Sequence, residues 1–295
     1  MSRLTTLDHA SWTDDPWADT HTPGALELVK HLERGDVLFF SRLRFQIRAD
    51  EASLFSPAIL SSAKNASFDP ATGRVGGATV SGPDLECLRG LMSRFSAAAA
   101  GFAGRLLPHY RGRLASARAS FRPAEIAGRA SSWRKDDSRL HVDSFPASPV
   151  QGRRILRLFT NVNPAGRPRS WRVGGSFEAL AAHFASSIAP PWPGSAALLR
   201  ALRLTKSRRT AYDALMLQLH DRMKGDLVFQ ESSPQTAVDF PAGTTWLAFT
   251  DQVSHAATAG QYQLEQTFLL PVEAMVDESV SPLRVLERQF RRALV

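Results

Sequence analysis

The sequence predicts an α+β protein built on a distorted double-stranded β-helix, a cupin-like jelly roll, with flanking N-terminal helices and a helical insert. Three observations carry that reading. Short segments rich in β-branched and aromatic residues recur from about Ala119 and are separated by turn residues. Residues 175–224 interrupt them with helical spacing. No internal repeat or low-complexity linker divides the 295 residues into separate units. Strands around a helical insert, with helices packed outside, suit a closed antiparallel jelly roll.

Each element follows from local chemistry. Residues 1–23 scatter Trp12, Pro16 and Trp17 among acids and read as an irregular arm. Gly24 to Arg34 suits a helix that Gly35 ends, and Asp36 to Phe40 reads as a strand. Residues 50–82, rich in Ser, Ala, Gly and Pro, read as loop. Pro83 then opens a helix whose Leu85, Leu88, Leu91, Met92 and Phe95 share a face, and Pro108 stops it after Leu107. A basic stretch, Tyr110 to Arg118, leads into the first core strand. Ile155 to Val162 is a strand ending at Asn163-Pro164. In the insert, Phe177, Leu180 and Phe184 form one helical face, and Leu215, Met216, Leu217 and Leu219 belong to a later one. Strands return at Thr236–Phe240, Thr245–Phe249 and Gln263–Leu270. Residues 281–295 are amphipathic, with Leu283, Leu286, Phe290 and Leu294 opposite Arg284, Arg288 and Arg291. The expected organisation is an arm and extension over 1–118 packing on the core, a catalytic core over 119–275, and a C-terminal basic helix over 276–295.

Composition narrows the class. Hydrophobic content of 43% and charged content of 22% are ordinary for a soluble globular protein, but the net charge of +8 is not. Arginine dominates the basic side and favours planar oxyanions, although a GC-rich genome would enrich it equally. The single Cys87 excludes an intramolecular disulfide and a multi-cysteine zinc site. Without a signal-like start or an apolar run of membrane-spanning length, the chain reads as cytoplasmic. No helix-turn-helix, zinc-finger or Gly-rich phosphate motif appears, so no nucleic-acid partner is expected.

The chemistry concentrates at Ser138-Arg-Leu-His141-Val-Asp143-Ser-Phe-Pro146. On extended backbone, residues i and i+2 point the same way, so His141 and Asp143 can converge on one ion. A surface His beside a solvated Asp would look the same. Far downstream, a Pro241-Ala-Gly243 turn, a strand, His255, Gly260 and a further strand form the layout that would bring a second imidazole to a barrel mouth. Two His and one carboxylate on one face of an ion, with the other positions open, is the ligand set of non-haem Fe(II) oxygenases.

With these residues placed, the chain resembles the Fe(II)/2-oxoglutarate-dependent dioxygenases through its His-x-Asp motif, distal His and intervening strands. More narrowly, Ser131 to Pro146, Arg154 to Pro164 and Gly35 to Phe40 resemble the Kdo hydroxylase family. Kdo is the acidic eight-carbon sugar joining lipid A to the lipopolysaccharide core. The resemblance implies that His141, Asp143 and His255 hold Fe(II) and are the catalytic centre. It implies 2-oxoglutarate and O2 as cosubstrates, giving succinate, CO2 and a hydroxylated sugar. Many such enzymes carry an Arg about ten residues after the distal His, to bind the far carboxylate of 2-oxoglutarate. Here that region reads Glu265-Gln266-Thr267, leaving Gln266 as a neutral candidate. Other members place a basic residue on the strand after the His-x-Asp turn. That favours Arg157 as the anchor, then Arg154, with Asn161 on the Arg157 face.

The expected substrate is an anionic glycolipid, a Kdo-bearing lipid A precursor, with Arg129, Arg134, Lys135 and Arg139 lining the mouth. A solvated charge run is the bland alternative for each of the four. Segment 281–295 is either a docked terminal helix or a peripheral contact at the inner face of the inner membrane. Two other functional classes stay open at this point. One is a 2-oxoglutarate oxygenase acting on a protein side chain or small metabolite. The other is a non-catalytic jelly-roll module binding anionic glycan or nucleic acid.

Overall fold

The computed structural model describes residues 4–7, 24–61, 63–192, 194 and 200–295. Eleven strands form two sheets among the described residues: β1 (Leu4–Leu7), β2 (Val37–Phe40), β3 (Ala66–Asp69), β4 (Arg74–Gly76), β5 (Ala115–Arg122), β6 (Arg154–Asn161), β7 (Arg169–Val173), β8 (Thr236–Phe240), β9 (Thr245–Phe249), β10 (His255–Ala259) and β11 (Gln263–Leu270). The large sheet runs β1-β2-β9-β6-β11-β5-β3-β4 and the small one β10-β7-β8. Apart from the parallel β1–β2 pair, neighbours are antiparallel.

Alternation along the central strands separates two environments. Leu156 and Leu158 of β6, Leu247 and Phe249 of β9, and Leu264 and Phe268 of β11 face the helices. Those helices are α1 (Ala25–Glu33) and the long α2 (Gly82–Leu106). Leu88, Leu91, Met92, Phe95 and Phe102 are the buried face of α2; each such side chain stabilises by about 1.5–3 kcal/mol when removed from water. On the opposite face, Phe159, Trp171, Phe240, Trp246 and Ala248 fill the space between the sheets. Phe240 and Trp246 stack there with centroids 4.0 Å apart. The functional cavity opens on this second face.

Several sequence expectations need correction. Residues 50–82 are not all loop, because β3 and β4 form a hairpin that extends the large sheet beyond β5. The arm contains β1 at Leu4–Leu7, while residues 8–23 lie outside those described. The expected boundary at 118/119 falls inside β5, and strands from both sides of it share one sheet. The insert is not continuously helical. It comprises α3 (Phe177–Phe184) and α4 (Ala211–Gly225), followed by α5 (Leu227–Ser232), with non-helical backbone at Leu204–Arg209. A capping box starts α4: the Thr210 hydroxyl accepts from Asp213 N while the Asp213 carboxylate accepts from Thr210 N.

The C-terminal helix α6 (Pro282–Phe290) is docked. Leu283, Val285, Leu286 and the trailing Leu294 are buried in the main core. Its Arg284 is held between Glu278 and Glu287, each at 2.8 Å. The apolar face expected at a bilayer is already covered by the body of the protein.

Candidate metal centre

Two backbone segments meet at the centre. His141 and His255 exchange both backbone hydrogen bonds, at 3.0 and 2.9 Å, in an isolated antiparallel bridge. Directly opposed residues project to the same side, so the two imidazoles lie together with centroids 4.6 Å apart. Asp143 follows His141 on the same face, fixed by its N–H donating to Thr250 O at 2.8 Å. The turn from β10 into β11 needs Gly260, whose φ is +102° and where a Cβ would lie 2.7 Å from Pro168 O. One ligand atom from each of His141, Asp143 and His255 lies within 4.8 Å of the others.

The donor chemistry fits a divalent ion. Nδ1 of His141 is 2.8 Å from Arg139 O, and Nδ1 of His255 is 2.8 Å from Val253 O. A carbonyl only accepts, so both Nδ1 atoms carry hydrogen and both Nε2 atoms keep a lone pair for a metal. Carbonyl partners of this kind orient metal-binding imidazoles. Trp171 stacks on the His255 ring at 5.0 Å. Oδ2 of Asp143 is buried with no hydrogen-bond donor among the described residues, a lone pair that a cation would satisfy.

Electrostatics keep these groups in ligand form. Burial, then the neighbouring His255 and Lys224, push His141 well below the ordinary imidazole range. Burial likewise lowers His255, against the pull of Asp143. For Asp143, burial opposes ionisation, but the adjacent Arg157 guanidinium leads the charges that outweigh it and hold the carboxyl below its usual range. Two neutral imidazoles and one carboxylate are thus the prevailing state.

The centre opens into a cavity of about 340 Å³. Its lining brings Lys64, Arg122, Arg134, Lys135, Arg157 and Lys224 together with only three carboxylates, Asp137, Asp143 and Glu265. Such an excess favours an anionic guest. Arg157 enters from β6 with Nε 3.3 Å from Asp143 Oδ2 and Nη1 3.7 Å from Glu265 Oε1. Its buried Nε makes no hydrogen bond.

Other expected site residues lie elsewhere. Arg154 is on the opposite face of β6, fully buried, and bound to Asp251 and Gln252. Asn161 shares the Arg157 face, but its amide donates to Arg167 O and Phe240 O, tying down a turn. Gln266 sits on the outer face of β11 and donates to Ala117 O and Thr267 O; the inward positions are Gln263 and Glu265. Of the four mouth cations, Arg134 and Lys135 line the cavity. Arg129 instead pairs with Asp137 at 3.2 Å. Arg139 pairs with Asp136 at 3.2 Å and donates to Lys224 O at 2.8 Å. Both serve the wall rather than the opening.

Sequence reasoning missed Lys64, Arg122 and Lys224. Arg122 is held by Glu265 at 2.9 Å, and Lys64 by Asp137 at 2.8 Å. Burial lowers the ammonium groups of Lys64 and Lys224, and Asp137 only partly restores them. The alternation of β5, with Phe121 outward, would have placed Arg122 inward; Lys64 and Lys224 left no comparable signal.

Comparison with known proteins gives one consistent result. A family model described as 3-deoxy-D-manno-oct-2-ulosonic acid (Kdo) hydroxylase matches residues 17–293. A crystal structure of the Kdo hydroxylase KdoO, a non-haem Fe(II) alpha-ketoglutarate dependent dioxygenase, in complex with cobalt(II) is 46% identical, covering 99% of this chain and 97% of that one, with a TM-score of 0.95. KdoO in complex with alpha-ketoglutarate and Fe(III) is 44% identical, covering 100% and 98%, at a TM-score of 0.94. The complex with succinate and Fe(III) is also 44% identical, covering 99% and 97%, at 0.94. No curated protein matched the chain.

Proposed function

This chain belongs to the 3-deoxy-D-manno-oct-2-ulosonic acid (Kdo) hydroxylase family, and from that premise we propose that it hydroxylates the Kdo sugar of a lipid A precursor. It is an Fe(II)- and 2-oxoglutarate-dependent dioxygenase. The observation that carries the reading is the convergence of His141, Asp143 and His255 inside a cationic cavity. Nε2 of each imidazole and the Asp143 carboxylate would hold Fe(II). With 2-oxoglutarate and O2, a metal held there would supply the C–H hydroxylation chemistry that yields succinate and CO2.

The chain's own residues bind, orient and exclude water. Arg157 is the anchor for the distal carboxylate of 2-oxoglutarate, because its Nε lacks a hydrogen bond and an Arg fork suits a carboxylate. Phe159 and Trp171 form an apolar floor beside the metal ligands, which strengthens every charge interaction above them. Arg134, Lys135, Lys64 and Lys224 face the acidic sugar. The glycolipid would keep its acyl chains in the bilayer, so the enzyme works as a peripheral protein at the cytoplasmic face of the inner membrane. No helix among the described residues is long and apolar enough to cross a membrane.

The test is turnover by purified protein supplied with Fe(II), 2-oxoglutarate and a Kdo-bearing lipid A precursor. Succinate and a sugar product heavier by one oxygen atom should form in equal amounts and only with iron. Succinate production unaffected by the glycolipid, with no product of added mass, would sink the substrate assignment.

A further inference from the structure

We propose that the segment Arg200–Arg209 is the surface that seats this protein on an anionic lipid bilayer. Leu202 and Leu204 would enter the headgroup region, and the surrounding cations would face the phosphates. The inference rests on the peripheral attachment proposed above and assigns it to a different element from the C-terminal helix.

Four observations meet in this segment. It carries five cations and no carboxylate: Arg200, Arg203, Lys206, Arg208 and Arg209. Leu202 and Leu204 stand 60% and 59% exposed on either side of Arg203. Arg203 has a left-handed φ of 54°, in a turn closed by its N–H donating to Arg200 O at 3.0 Å. No carboxylate among the described residues pairs with Arg200, Arg203, Lys206 or Arg208.

Each feature alone is ordinary, since single exposed leucines are common on soluble proteins. Their combination is that of an interfacial element, with apolar residues to bury and basic residues to hold phosphates. The C-terminal helix supplies the contrast, because its leucines are buried and Arg284 is matched by two glutamates. A bilayer is favoured over another anionic polymer because only a bilayer offers apolar depth to Leu202 and Leu204 beside its phosphates.

Placement ties this surface to the chemistry. The N–H of Lys206 donates to Ala147 O at 3.0 Å, and Arg209 Nη2 donates to Pro146 O at 2.7 Å. Ser144, Phe145 and Pro146 line the metal cavity. The segment is therefore fastened to the cavity wall, and seating it on a membrane brings the opening to the headgroup layer.

Co-sedimentation with neutral phosphatidylcholine vesicles and with vesicles containing anionic phosphatidylglycerol tests the proposal without using activity. The intact protein should bind the anionic vesicles in a salt-sensitive way. Arg203→Gln with Lys206→Gln should weaken that binding by about fivefold per charge removed. Leu202→Ser with Leu204→Ser should weaken it at least tenfold, about one headgroup-buried leucine's worth. Arg288→Gln on the C-terminal helix should leave it unchanged. All substituted side chains are exposed or intermediate, and equal thermal midpoints would verify folding. Intact protein that ignores both vesicle types overturns peripheral attachment itself. Anionic binding that survives both double substitutions, or falls with Arg288→Gln instead, keeps attachment and overturns this assignment.

Discussion

Arg154 and Arg157 lie three positions apart on β6, and the strand sends them to opposite worlds. Arg154 faces the helical side at zero exposure, with Nε and Nη2 on Asp251 at 2.7 and 3.3 Å, Nη2 on Gln252 at 2.6 Å, and its guanidinium 4.0 Å over the Phe249 ring. Arg157 faces the cavity, near two carboxylates but with a buried Nε lacking a hydrogen bond. Identical chemistry thus yields a completed structural joint on one face and, on the other, an ion-paired group with a donor to spare. A buried arginine's role is read from which of its donors are already used.

The most severe way to sharpen that contrast is to remove the centre that Arg157 is proposed to serve. His141→Ala, Asp143→Ala or His255→Ala should drop succinate production to background while the folded protein survives. If all three retain activity, the proposed centre is wrong. The structural joint comes next. Arg154→Ala strands a buried carboxylate, which burial already pushes above its ordinary range despite the Arg154 fork. The loss should be about 3–5 kcal/mol in urea unfolding, with the 2-oxoglutarate requirement of the remaining folded enzyme unchanged.

Arg157→Ala should act on the cosubstrate instead. Losing a buried charge-assisted pair costs about 2–5 kcal/mol of affinity, so the 2-oxoglutarate concentration for half-maximal rate should rise tenfold or more, about a decade per 1.4 kcal/mol. Stability should fall as well, because Arg157 leads the charges that keep the buried Asp143 carboxyl ionised; the raised 2-oxoglutarate requirement, absent in Arg154→Ala, separates the two arginines. A normal requirement in Arg157→Ala with a raised one in Arg122→Ala would move the anchor to β5. Last comes a pH effect on the metal-free protein. Burial lowers His141, His255 and His220, the last on α4 with its ring 5.4 Å from that of His141, below the imidazole value of 6.5. The unfolded chain therefore binds more protons just below that pH, and stability should fall as pH drops through 6.5, by at most about 1.4 kcal/mol per pH unit for each imidazole. Lys224 adds to the depression at all three rings; Asp143 opposes it at His141 and His255, and Asp221, then Asp143, at His220. His141→Ala should flatten the thermal-midpoint slope between pH 6.5 and 5.5; an identical slope would show that His141 is not buried neutral.

How much of this was legible in the sequence depended on whether a signal was local. A two-residue period places His141 beside Asp143 and sends Arg157 and Arg154 to opposite faces of β6. The spacing of Pro83, Leu88, Leu91 and Phe95 marked α2 because a long helix repeats its pattern. The β3–β4 hairpin was hidden because strands of four and three residues are too short to show alternation. Strand β7 was hidden because its inward positions include a charged residue, Arg169. Cavity cations were the least legible. Lys64 reaches Asp137 from 73 positions away, while nearby Arg129 and Arg139 are absorbed into wall ion pairs. Proximity to the motif along the chain brings Arg134 and Lys135 to the cavity but not Arg129 and Arg139.

The backbone bridge between His141 and His255 carries a further consequence for metal exchange. Residues 114 positions apart in the sequence are fastened by two amide hydrogen bonds that need no ion. The entropy of closing that long loop is spent in folding rather than in metal capture. Binding then demands little reorganisation, and the centre is preorganised like a socket rather than assembled around its metal. Chelation and reloading should therefore be a reversible swap carried out on intact folded protein. That separates this fold from domains in which losing the ion means losing the structure.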